Sequence, residues 1–371
     1  MSEFKKLRVG ITQGDINGIG YEVIAGALED DRILELCTPV IYGSAKIAAY
    51  YRKATEGTGI PYVQIQRASE ATEQRYYIIN VVPDDIRVEP GVASKTAGEA
   101  AFQALERAVA DLKNGEIDVL VTAPINKHAI QSSSFPFPGH TEYLESVLGE
   151  EGDKAMMIMC SPLGLRVALV TGHVELIKAA ESISRELVVE KIRAFNDSLK
   201  KDFGIDRPRL AVLSLNPHSG EEGLLGTEEN EKIIPAIEEC FSSGIECFGP
   251  YASDGLFGSG MFTRFDGVLA MYHDQGLTPF KTIAMDSGVN FTAGLPHVRT
   301  SPDHGTAYDI AGKGEASAES MREAIYMAID IYRNRHNYKR ARRNPLRKQY
   351  FEKNKNDNVV LDLSKADDHE L

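Results

Sequence analysis

Three short apolar runs, Val167–Val170, Leu210–Leu215 and Val268–Tyr272, each lead within a few residues to a histidine: His173, His218 and His273. Each run is short for a helix and reads as a buried strand. The same alternation governs the rest of the chain. Leu7 to Thr12 reads as a first strand, followed by a glycine-rich loop and a helix from about Tyr21 to Glu29. Strands are expected over 39–42, 77–82 and 117–121, with a helix over Thr96–Asn114 whose apolar positions share one face. Further strands are expected near 155–160, 165–170, 209–215 and 267–271, separated by helices near 184–202 and 228–242, with a last helix from about Ala316 to Asn334. This pattern predicts an α/β chain with largely parallel sheets. The carboxyl ends of parallel strands face one side, where open α/β proteins bind ligands. Three imidazoles delivered there can converge on a divalent metal with a position left for substrate. With no His-Glu-x-x-His and no paired-cysteine motif, that reading rests on convergence alone, and three separately hydrogen-bonded loop histidines are the competing reading.

A chain of 371 residues with 43% apolar content exceeds one ordinary core and suggests two domains. A net charge of −13 argues against general binding to nucleic acid or membrane surfaces, so an anionic ligand would need a local cluster of cations. Cys37, Cys160, Cys240 and Cys247 have neither metal nor redox spacing and do not read as a disulfide framework. No apolar leader follows Met1 and no segment is long enough to span a bilayer, so a cytoplasmic location is expected. The Ser-, Phe- and Pro-rich stretch 132–139 reads equally as a hinge or a surface loop. Residues 335–371 are dense in charge and are expected to form a disordered tail.

Several strings carry candidate chemistry. Gly14-Asp15-Ile16-Asn17-Gly18-Ile19-Gly20 lacks the dinucleotide order and could be a phosphate cradle or a tight strand-to-helix turn. Pro138-Gly139-His140-Thr141-Glu142 sets His140 and Thr141 at a helix start suited to an anion, with Thr141 also able to cap that helix. After His273 come Lys281, Asn290 and Arg299, which could collect around a phosphate or carboxylate. Asp303-His304-Gly305-Thr306-Ala307-Tyr308-Asp309-Ile310-Ala311-Gly312 reads from its glycine turns and polar residues as a functional loop.

That last string resembles the segment lining the NAD(P) adenosine site of the isocitrate and isopropylmalate dehydrogenases, with His304, Gly305 and Asp309 as the matching positions. Together with Thr-Ala-Pro-Ile-Asn-Lys at 122–127, Pro-Gly-His-Thr-Glu, Asn-Pro-His-Ser-Gly-Glu and Tyr-His-Asp-Gln-Gly, it resembles the 4-hydroxythreonine-4-phosphate dehydrogenase family of vitamin B6 (pyridoxal phosphate) biosynthesis over about Leu7 to Asn334. The family usually has Pro-Ala where this chain has Ile16-Asn17, and Pro in place of Tyr21. The resemblance implies an isopropylmalate dehydrogenase-like fold of two α/β/α domains, 1–132 plus about 280–334 and 133–279, with the active-site cleft between them. It implies a homodimer, the site at its interface, and a divalent metal (Zn, Mg, Co or Mn) on His173, His218 and His273, one of them crossing from the partner. Substrate contacts are implied for His140, Thr141, Lys281, Asn290 and Arg299. Asp254 matches an acidic position near the metal and is the candidate base, and Lys127 matches the lysine ending the Thr-Ala-Pro motif. The expected activity is NAD-dependent, or NADP-dependent, oxidation of 4-phosphooxy-L-threonine at C3 with decarboxylation. The alternative is a dehydrogenase of threonate or erythronate 4-phosphate on the same scaffold.

Overall fold

The computed structural model describes residues 6–57, 59–72, 74–83, 85–131 and 135–344. Twelve strands form one sheet: β1 (Leu7–Thr12), β2 (Cys37–Gly43), β3 (Tyr62–Ile65), β4 (Tyr76–Asn80), β5 (Val119–Thr122), β6 (Met156–Cys160), β7 (Arg166–Leu169), β8 (Leu210–Leu213), β9 (Cys247–Tyr251), β10 (Gly267–Ala270), β11 (Val289–Ala293) and β12 (Arg299–Pro302). Their order is β3-β4-β2-β1-β5-β12-β11-β6-β7-β10-β8-β9. Pairing is parallel on both flanks, whereas β12, β11, β6 and β7 meet through antiparallel pairs at the centre. The apolar runs behave as their composition requires: β2, β5, β8 and β10 are buried at every residue, because helices cover both faces.

The helix Lys95–Lys113 has the expected single buried face, and Ser94 caps it by accepting from the Ala97 N–H at 3.2 Å. A Cβ at Gly98 would lie 1.9 Å from the Ala129 carbonyl oxygen, so glycine permits the short helix Lys127–Ile130 to pack against it. That short helix fixes Lys127 at the end of β5.

The first loop is a packed turn, and no phosphate cradle forms. Gln13, Asp15, Ile16 and Asn17 are buried. Tyr308 donates to Asp15 at 2.7 Å, and Asn17 donates to the Val92 carbonyl at 2.8 Å while accepting from the Glu89 N–H at 2.8 Å. The backbone amides a phosphate would need are committed or enclosed. Asn17 is the hub of this loop.

Strands β3, β9, β11 and β12 and the helix His273–Ala284 carry weak local patterns and add to the elements expected from the sequence. The last helix runs over Glu319–Arg342 rather than ending at Asn334, which corrects the expectation of a disordered tail from 335. Arg335 is buried, bonded to Asp202 at 2.6 Å and to the Leu295 and Pro296 carbonyls, so it holds the helix end. Residues 345–371 lie outside the described residues, as do 132–134 of the stretch read as hinge or loop. Among the described residues no helix is long and apolar enough to cross a membrane.

Candidate active site

A cleft of about 640 Å³ opens where β5, β7, β10, β11 and β12 end or begin. Its lining includes Lys127, His140, Thr141, His173, His273 and Lys281, together with Asn290, Arg299, Asp303, His304 and Gly305. Residues dispersed over nearly two hundred positions therefore line one cleft. Asp254, His218 and Asp309 do not line this cleft.

Arg299 sits at the head of β12 and is only 3% exposed. Its Nε and Nη2 donate to Thr122 Oγ1 at 3.0 and 2.6 Å, Nη1 donates to Thr292 Oγ1 at 3.1 Å, and Nη2 donates to His140 Nδ1 at 3.0 Å. All three acceptor atoms are neutral, and among the described residues no carboxylate forms an ion pair with the guanidinium. Burial lowers the Arg299 pKa to about 9, against a smaller opposing effect of Glu142. A buried cation held by neutral groups keeps its charge available to an anion. His140 is held well below the usual imidazole value by burial and by the charges of Arg299 and Lys127. It opens the helix His140–Leu148, whose N-cap is Gly139. Thr141 lies in the first turn and does not cap it, because the helix begins two residues earlier than a Thr141 cap would require.

The anion region continues through Lys281, whose Nζ is 3.1 Å from Asp303 Oδ1. Asn290 reaches the same cleft from β11, an antiparallel strand between β12 and β6. Burial raises the Asp303 pKa and lowers that of His304. Asp309 is exposed on the turn beyond, and that turn is fastened from below by Glu22, which accepts from the Gly312 and Gly314 N–H groups at 2.6 and 2.9 Å.

His173 and His273 follow neighbouring parallel strands, β7 and β10, and their rings lie 5.5 Å apart between centroids. Burial, Lys127 and His273 together lower the His173 pKa, favouring the neutral imidazole that ligates metals. His218 follows β8, on the other side of β10, and turns away to line a second cavity of about 760 Å³ with Asp254 and Asp274. One chain thus brings two of the three expected imidazoles together. Among the described residues no group of three His, Cys, Asp or Glu could hold a metal ion.

The segment bearing His218 is strained. His218, Ser219, Gly220, Glu221 and Glu222 all adopt left-handed backbone angles, with φ between 46° and 79°. Each non-glycine residue there costs about 1–2 kcal/mol. The buried carboxylate of Glu229 holds the turn, accepting from the Leu215 and Asn216 N–H groups at 2.8 and 2.7 Å and from Asn216 Nδ2 at 2.9 Å. Strain kept under such constraint concentrates at functional sites. Neither Glu229 nor the clamp residues Thr122 and Thr292 were singled out from sequence. Thr122 does open the Thr-Ala-Pro motif, which was a usable signal, whereas Glu229 lies in an unremarkable acidic stretch.

A profile of the family described as pyridoxal phosphate biosynthetic protein PdxA matches residues 35–328. The chain is 57% identical over 366 residues to a 4-hydroxythreonine-4-phosphate dehydrogenase of Bacteroides thetaiotaomicron, covering 99% of this chain and all of that protein. It is 40% identical over 328 residues to a D-threonate 4-phosphate dehydrogenase of Cupriavidus necator, covering 87% and 96% of the two chains. The crystal structure of a 4-hydroxythreonine-4-phosphate dehydrogenase from Burkholderia phymatum superposes with a TM-score of 0.71 at 40% identity, covering 88% of this chain and 99% of that one.

Proposed function

This chain belongs to the PdxA family of pyridoxal phosphate biosynthetic proteins, and from that premise we propose that it oxidises 4-phosphooxy-L-threonine at C3 with NAD, or NADP, and decarboxylates the product to 3-amino-2-oxopropyl phosphate. The observation that carries the reading is the buried Arg299 guanidinium, held by Thr122, Thr292 and His140 without a carboxylate, beside the His173–His273 pair.

In this reading Arg299, Lys281, Asn290, Thr141 and the Nε2–H of neutral His140 bind the substrate phosphate. That contact lies away from the reacting carbon and spends its binding energy on orientation. His173 and His273, completed by His218 of the partner subunit, are the imidazoles that would hold a divalent ion such as Zn, Mg, Co or Mn. Three imidazoles suit Zn and similar transition ions better than Mg or Mn, which favour oxygen ligands, and a homodimer would supply the third imidazole that a single chain turns elsewhere. A bound divalent ion would supply Lewis acidity at the C3 hydroxyl, and a bound nicotinamide would supply the hydride acceptor. Asp254 shares the second cavity with His218, so it would enter the site from the same subunit and take the hydroxyl proton, directly or through a water. The resulting β-keto acid loses carbon dioxide, and the enolate is protonated at C2. Lys127 lies close enough to lower the pKa of both His140 and His173, and its charge would offset the anion that develops between them. His304, Gly305 and Asp309 form the dinucleotide side. Domains of 1–132 plus about 280–334 and of 133–279 would flank the cleft.

The Cupriavidus relative supports a second reading, oxidation of a 4-phosphorylated sugar acid by the same machinery. NADH absorbance with metal-stripped and metal-restored protein, offered 4-phosphooxy-L-threonine, 4-phosphothreonate and 4-phosphoerythronate, separates the two. Metal-dependent turnover of the amino acid is expected. Preference for a sugar acid moves the enzyme to the second reading, and metal-independent turnover removes the metal from both.

A further inference from the structure

Strands β7, β10 and β8 lie side by side and lead to His173, His273 and His218, and the paired residues of β10 and β8 end at Leu269 and Val212. Past that pair a side chain makes the link. Gln275 Oε1 accepts from the Met271 N–H at 2.7 Å, and Gln275 Nε2 donates to the Ser214 carbonyl at 2.6 Å. An N–H only donates and a carbonyl only accepts, so these partners fix which end of the amide is which. Met271 and Ser214 are both buried, and a polar group left unpaired there would be costly.

Both partners lead directly to histidine loops. Met271 stands two residues before His273, and its carbonyl accepts from the N–H and Oγ1 of Thr171 at 3.1 and 2.8 Å, two residues before His173. Ser214 is followed by Leu215 and Asn216, whose N–H groups Glu229 holds, and then by the left-handed turn that begins at His218. The chain Thr171–Met271–Gln275–Ser214 therefore crosses all three strand ends. Gln275 is also the third residue of the helix His273–Ala284, where a Glu or Gln commonly reaches back to cap the helix start. The Met271 bond fits that local role. The Ser214 bond does not, because it spans 61 residues of sequence to the end of another strand.

We propose that Gln275 is a positioning residue that holds the end of β8, and with it the His218 turn, in register with the end of β10 that carries His273. The proposal rests on the metal reading above. In that reading His218 completes the site of the other subunit, so Gln275 ties the part of a subunit that serves its own site to the part that serves its neighbour's.

Q275E separates this role from helix capping. Glutamate keeps the shape and the acceptor for Met271 and suits a helix start, but it cannot donate to Ser214 and sets a carboxylate oxygen against that carbonyl. Q275M loses both bonds. Full-length, metal-stripped proteins are titrated with cobalt(II) while the visible spectrum is recorded, and backbone amide exchange is followed by mass spectrometry without metal. Partners that orient metal ligands are worth about tenfold or more in affinity. Both variants are expected to bind cobalt about tenfold more weakly than wild type, with a changed spectrum, and to exchange faster over 214–224. If Q275E does not fold, Q275M carries both readouts. Wild-type cobalt affinity and spectrum, or faster exchange confined to the start of the helix His273–Ala284, would leave Gln275 as a helix cap and overturn the proposal. Absence of cobalt uptake by the wild type overturns the metal reading instead, and exchange over 214–224 in the variants still decides whether Gln275 holds the turn.

Discussion

Arg299 donates from Nη2 to Nδ1 of His140 across 3.0 Å, and because a guanidinium has only donors, this contact fixes His140 as a neutral imidazole with its proton on Nε2. The arginine is itself aimed by Thr122 and Thr292. A cation, a directed N–H and two hydroxyl clamps thus form one unit built from β5, β11, β12 and the helix His140–Leu148.

Removing the clamp should loosen anion binding without altering the chemistry. T122V keeps the side-chain shape but loses the oxygen that accepts two guanidinium bonds. We expect KM for the phosphorylated substrate to rise about tenfold, some 1–1.5 kcal/mol, with kcat within about twofold of wild type. T122S should restore binding. Steady-state kinetics on the three proteins decide it, and equal KM values for T122V and wild type would refute the clamp.

If His218 reaches the metal from the other subunit, ligand-deficient variants should complement each other. H218A and H273A are each expected to be inactive as homodimers. Mixed and re-equilibrated, they give heterodimers with one complete site of two, so activity should return to about a quarter of wild type. A mixture that stays inactive while native mass spectrometry detects heterodimers would place all three ligands within one subunit.

The left-handed turn before Glu229 should tolerate little change. A Cβ at Gly220 would lie 2.7 Å from Glu229 Oε2, on a backbone with φ of +79°. G220A is expected to cost about 1–2 kcal/mol in urea unfolding. E229A should lower metal affinity at least tenfold by releasing His218, read from the visible spectrum of the cobalt(II)-loaded protein. An unchanged cobalt titration would mean that the turn holds its shape without the carboxylate.

Acid should destabilise the protein earlier than its carboxylates would. Burial holds His140, His173 and His304 below the ordinary value of 6.5. The unfolded chain protonates these groups below about pH 6.5 while the folded chain does not, so the unfolded state binds more protons and stability falls as pH drops through that value. Each group contributes at most about 1.4 kcal/mol per pH unit. Urea unfolding at pH 7.5 and 5.5 should give the lower stability at 5.5, with a smaller difference in H140Q, which keeps an acceptor for Arg299. Equal pH dependence in the two proteins would exclude His140 as a contributor.

Local pattern determined much of this protein. Apolar runs that must be buried on both faces specify strands such as β1, β5 and β8, and a helical period specifies Lys95–Lys113. Because those strands are parallel, the residues at their ends are delivered to one side, which is why most residues that line the cleft are legible in the sequence. Tertiary structure decided the rest. Asn290 and Arg299 stand on β11 and β12, short strands whose central antiparallel place depends on partners more than a hundred residues away. His218 leaves an equivalent strand end, yet Glu229 and five left-handed residues turn it from His173 and His273, a backbone choice that periodicity does not encode. The first loop is glycine-rich for close packing rather than for phosphate, and Arg335, charged and past the expected helix end, is buried because Asp202 receives it. The reach of Gln275 from Met271 to Ser214 likewise emerges only in the fold, since its two partners stand past the ends of different strands.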